Sequence, residues 1–110
     1  MHDEPWSKAE KAIARRAYDQ AYDRELSALA DEVRRRANAI AEPLHIWALH
    51  DFLTRSRKEI DQKYDYRYSQ LVIVFALLIR DGWLSEAELT GLAEDKLARI
   101  KSFLDMWSEE

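Results

Sequence analysis

Along "LHIWALHDFLTRSRKEID", residues 44–61, Ile46, Leu49, Leu53 and Ile60 recur at three-, four- and seven-residue intervals. That spacing marks one face of a helix turned toward a core. At about 100° per residue, Trp47, Asp51, Thr54 and Lys58 fall on the opposite face. His50, Arg57 and Asp61 lie on the border between the two. A large indole therefore sits on the polar side of an amphipathic helix, beside a histidine, an aspartate and an arginine. That placement needs a reason.

The rest of the chain also reads as helix. Ser7 followed by Glu10 forms a capping box, with Trp6 in the staple position before it. An Ala-, Arg- and Leu-rich stretch then runs unbroken to about Ile40, where "AEP" stops it at Pro43. Its later apolar stripe is Leu26, Leu29, Val33 and Ile40; a thinner one, Ile13, Ala17 and Ala21, precedes it. The second helix starts at Pro43 or Leu44, proline suiting a first turn, and reaches about Lys63. "YDYRYS" reads as either a bend or a continuation. A third helix is predicted from about Tyr66 to Arg80, ending at "DG", where Gly82 can take the left-handed cap. Ser85 and Glu88 form a second capping box, predicting a last helix to about Trp107. "LVIVF" is β-branched enough for a buried strand, but a lone strand has no partner here, so it reads as a buried helix.

Length adds a constraint. A first helix of roughly 33 residues would extend about 50 Å. A compact chain of this size has a radius of gyration of only about 13 Å. The helix must be broken, or another chain must cover the stripe it carries beyond the globule. A two-fold homodimer is the expected solution.

Composition narrows the function. The 110 residues carry a net charge of −4 and a pI near 5.4, which argues against nucleic acid as main partner. There is no cysteine, and hence no disulfide or thiolate chemistry. The start "MHDEPW" lacks the basic and apolar regions of a signal peptide. The longest apolar run, Leu71 to Ile79, is about half of what spans a bilayer. A soluble intracellular protein is expected, with few and short loops given two glycines and two prolines.

Candidate chemistry is thin. Adjacent on a helix, His50 and Asp51 point about 100° apart and do not make an acid–base dyad. His45 and His50 are five apart, without the four-residue spacing or third ligand of a metal site. Arg34 to Arg36 spread around the helix as a solvated face balanced by Asp31 and Glu32. Tyr64, Tyr66 and Tyr68 read either as a binding surface or as a helix junction packed by aromatic rings. No catalysis, metal or cofactor is expected. Trp47 is left either as a dimer-interface residue or as a binding anchor, since Trp and Arg are enriched among hot spots.

The blocks "PWSKAE", "AYDREL", "LHDFL", "RKEIDQKYDYRYS", "VFALLI", "DGWL" and the EL, GL and DK pairs of residues 88–96 follow one another in this order. Together they resemble the fluorescence recovery protein family of cyanobacteria, from Trp6 to about Lys101. The resemblance implies a non-enzymatic, all-α homodimer that can also form tetramers. Its elongated stalk would be residues 7–63 and its smaller head residues 64–110, in one helical domain of about four helices. It implies a partner, the photoactivated orange carotenoid protein, bound mainly through that protein's C-terminal domain. Binding would speed detachment from the phycobilisome and return to the resting orange state, in the cytoplasm at the thylakoid face. Carried over by position, the family's binding patch falls on Trp47, His50, Asp51 and Arg57, with Phe52 in the same block. Arg99 stands where the family's head carries a functional lysine, keeping charge but not geometry. The alternative is a dimeric scaffold of the same fold with a different protein partner.

Overall fold

The computed structural model describes residues 5–109; the first four residues of the "MHDEPW" start, read above for signal-peptide regions, and Glu110 lie outside them. It contains α1 (Lys8–Asn38), α2 (His45–Lys63), α3 (Leu71–Arg80), a 3₁₀ turn (Glu86–Leu89) and α4 (Glu94–Ser108). No strand occurs among the described residues, only an isolated bridge from Thr90 to Leu92. No described helix is long and apolar enough to cross a membrane. The radius of gyration is 17.0 Å and the extents 54 × 32 × 27 Å. A globule of this length would have a radius of about 13 Å. The unbroken α1 is responsible: its 31 residues span about 46 Å at 1.5 Å each.

Local signals fix most boundaries. Ser7 N–H donates to Glu10 Oε1 at 3.0 Å and Glu10 N–H to Ser7 Oγ at 3.1 Å, completing the capping box. Gly82 takes φ +89° after α3. Its N–H donates to the Ile79 carbonyl and that of Trp83 to the Leu78 carbonyl, the paired bonds of a Schellman cap. The run "LVIVFALLIR" is a helix, as read from sequence, with Leu71, Val72, Val74, Phe75, Ala76 and Leu78 all buried. A helix this apolar on nearly every side needs cover all round. It packs against α4 on one side and α1 on another. Ala14, Ala17 and Ala21 form a narrow buried line on α1 that lets α3 approach closely.

Two boundaries differ from the sequence reading. α3 begins at Leu71, not Tyr66, because residues 64–67 are not helical. Tyr64 and Tyr66 turn toward Tyr18 of α1, and Tyr68 meets Tyr66 edge-on at 5.7 Å. Tyr18 meets Tyr64 and Tyr66 edge-on at 5.4 and 4.8 Å, and the Arg15 guanidinium lies 3.7 Å from the Tyr66 ring centre. The aromatic junction is the reading that holds. The Ser85–Glu88 box opens only the short 3₁₀ turn; α4 starts at Glu94. Gly91 separates them at φ +109°, and a Cβ there would lie 2.5 Å from Ile13 Cδ1. Only glycine fits that turn.

This end of the molecule, the base, is cross-tied. Lys96, 2% exposed, lies against Glu10, 7% exposed, with Nζ 3.1 Å from Oε2 and 2.9 Å from the Pro5 carbonyl. Glu10 also accepts from the Ala93 N–H at 2.8 Å. These donors, led by the Ser7 and Ala93 amides, hold its carboxyl down at a pKa of about 2. Lys63 bridges Glu25 and Asp81, and Arg24 grips Glu88 with two hydrogen bonds.

Candidate functional site

α2 folds back along α1 after an elbow at residues 39–44. Its first turn is closed by His45, Ile46 and Trp47 N–H groups donating to the carbonyls three residues earlier. The face turned to α1 carries half-buried Leu49, Phe52 and Ser56 and buried Ile60. That face is rotated from the predicted stripe of Ile46, Leu49, Leu53 and Ile60. Leu49 and Ile60 do turn inward, but Ile46 is 46% exposed and Leu53 38%. The expected core position of those two residues is therefore not met within one chain. Tyr22 and Leu26 of α1 are similarly exposed, at 36% and 43%. Between the helices a groove of about 320 Å³ is lined by Tyr22, Leu26, Leu29, Leu53 and Ile60, with Arg57 and Asp61 at its edge.

Beside this apolar band lies the polar face. Trp47 is 57% exposed and its ring meets His50 edge-on, centroids 6.2 Å apart. His50 Nδ1 approaches Asp51 Oδ1 to 3.6 Å, closer than their angular separation suggested, though both side chains stand about two-thirds exposed. Arg57 Nε lies 3.5 Å from Asp61 Oδ2, with its side chain 85% exposed. At such exposure these pairs contribute little to folding. Their charges are available to a partner. Among the described residues no group of three or more His, Cys, Asp or Glu could hold a metal.

Trp47, His50, Asp51 and Arg57 thus share one accessible side of α2. Phe52 does not. It turns toward α1, where the Arg36 guanidinium lies 3.7 Å from its ring centre. Arg99 sits exposed on α4, at the base, where Lys96 and Ile100 of the same helix are buried. It stands far from α2's first turns, which follow the opposite end of α1. Arg34 pairs with Asp31, and Arg35 and Arg36 with Glu32, so the basic run is balanced as its sequence suggested. Sequence reasoning missed the second role of Arg36, as the cover of Phe52. A cation one helix away from an aromatic leaves no spacing signal.

The fold and sequence have known relatives. Residues 6–104 match the family described as photoprotection regulator, fluorescence recovery protein. The chain is 45% identical over 98 residues to the fluorescence recovery protein of a Synechocystis species, covering 89% of this chain and 90% of that one. The solved fluorescence recovery protein of Fremyella diplosiphon superposes with a TM-score of 0.86 at 51% identity, over 93% of this chain and 99% of that one. The solved Synechocystis protein gives 0.87 at 44% identity, over 92% and 99%. The chain belongs to the fluorescence recovery protein family of photoprotection regulators.

Proposed function

We propose that this chain acts as a homodimer that binds the photoactivated orange carotenoid protein, mainly through that protein's C-terminal domain. Binding accelerates its return to the orange state and its release from the phycobilisome, which ends energy quenching at the cytoplasmic face of the thylakoid. The observation that carries the reading is an exposed Trp47 flanked by His50, Asp51 and Arg57 along the edge of an uncovered apolar band. Trp and Arg dominate binding hot spots, and surrounding charges select partner and register. The band of Tyr22, Leu26, Ile46 and Leu53 suits a second copy of the same chain. Such a copy would cover the apolar residues and leave the polar edge open. The proposed role is regulatory binding rather than catalysis.

Binding to the photoactivated carotenoid protein, with the mass of each variant measured alongside, tests this. Trp47→Ala should weaken binding by about 2 kcal/mol or more, roughly thirtyfold, with helicity retained. Arg57→Lys keeps charge but loses the planar fork and should bind more weakly than wild type; Arg57→Glu should be worse. A dimeric Arg57→Glu protein that accelerates recovery like wild type would remove the patch from the account. Failure of the wild type to bind would leave a dimeric scaffold with another partner.

A further inference from the structure

From residue 22 to residue 59 no side chain is buried, so little packing within one chain fixes the rotation of α2 about its axis. At this end one contact ties the two helices ring to cation: Phe52 beneath Arg36, with Cζ 3.7 Å from the ring centre. Arg36 is itself held. Its Nε donates to Glu32 Oε2 at 2.7 Å, and Arg35 grips the same carboxylate. Hydrogen bonds from Arg35 and then Arg36 hold the Glu32 carboxyl down at a pKa of about 2. Five positions after Trp47, Phe52 points about 140° away from it around the helix. Seated under Arg36, it cannot face the surface that meets Trp47. Its neighbour Asp51 points outward because Phe52 points in.

We propose that Phe52 is a positioning residue rather than a partner contact. Clasped by Arg36 and Glu32, it sets the rotation of α2 that presents Trp47, Asp51 and Arg57. This rests on the docking face proposed above and assigns Phe52, Arg36 and Glu32 a separate task behind it. A cation over an aromatic ring at a solvent-accessible site changes an equilibrium by about two- to fivefold, which sets the size of the effect.

The test is a double-mutant cycle on binding to the photoactivated carotenoid protein, using Phe52→Leu, Arg36→Ala, both together, and Arg36→Lys, each checked for dimer mass. Each of the first two should weaken binding about two- to fivefold. The double variant should be no weaker than the worse single, and Arg36→Lys should recover part of the loss by returning a cation to the ring. In the free protein, Arg36 side-chain protons should show an upfield ring-current shift that Phe52→Leu removes and Trp47→Ala leaves in place. Losses that multiply in the double variant would make Phe52 a direct partner contact and overturn the proposal. So would wild-type binding by Arg36→Ala, or absence of the ring-current shift in wild type. If Trp47→Ala and Arg57→Glu both bind normally, the docking face itself fails, and the free-protein shift still decides whether the clasp exists.

Discussion

The two ends of this molecule use similar residues to different ends. At the base, small alanines on α1 admit α3, and Phe75, Leu71 and Leu78 are fully enclosed. Even the polar groups there are spoken for, as in the buried Lys96–Glu10 pair. At the tip, Leu26, Ile46 and Leu53 are as apolar as anything in the base, yet more than a third of each is open to solvent. An apolar residue left half wet gives up much of the roughly 1.5–3 kcal/mol that full burial supplies. The base is built to fold by itself. The tip leaves apolar and charged residues open, as the proposed dimer seam and docking edge require.

The sharpest way to break that contrast is a core truncation at the base. Phe75→Ala should cost about 3–5 kcal/mol and unfold the whole chain in a denaturant titration, tip included. Next is Leu53→Glu at the tip. On the proposed dimer seam a charge would cost several kcal/mol, so the mass should fall to one chain while near-ultraviolet signals from the base persist. An unchanged dimer would mean that Leu53 is not at the seam.

A smaller effect comes from the buried ion pair. The Glu10 carboxyl sits near 2 when folded, against 4.5 for a free group. A depressed folded value stabilises fully above about 4.5, and that stability is lost as pH falls toward 2. Wild type should therefore lose melting temperature across that window, and Glu10→Gln less steeply. At neutral pH Glu10→Gln should also melt below wild type, since it leaves Lys96 buried without a counter-charge. The smallest effect is expected from Arg24→Ala, which removes a bidentate, partly exposed pair with Glu88. Only a marginal loss of stability is expected in the same titration.

The contrast between the ends also explains what could be read from sequence. Signals contained in one stretch of chain were legible: the Ser7–Glu10 box, the Gly82 cap, the Pro43 elbow, and the helical run of α3. Features that depend on a distant residue were not. The turn before α4 takes glycine at φ +109° against Ile13, which lies 78 positions earlier in the chain. Lys96 is buried because Glu10 and Pro5 receive it, and its own neighbours in sequence give no hint of that. The rotation of α2 was misjudged because two apolar faces overlap on it. One, through Leu49, Phe52 and Ile60, meets α1; the other, through Ile46 and Leu53, is left outside. Periodicity merged them into one stripe. Of the site, helical spacing put Trp47 and Asp51 on the polar face with His50 and Arg57 at its border, while their reading as a docking patch, and the addition of Phe52 and Arg99, came from the family resemblance.

Hydrogen exchange along the whole chain, with and without the photoactivated carotenoid protein, tests the division of labour most directly. Amides of α3 and α4 should be well protected in the free protein and change little on binding, whereas those around residues 45–58 should exchange faster when free and gain protection when bound. New protection confined to α4 around Arg99, with α2 unchanged, would contradict it.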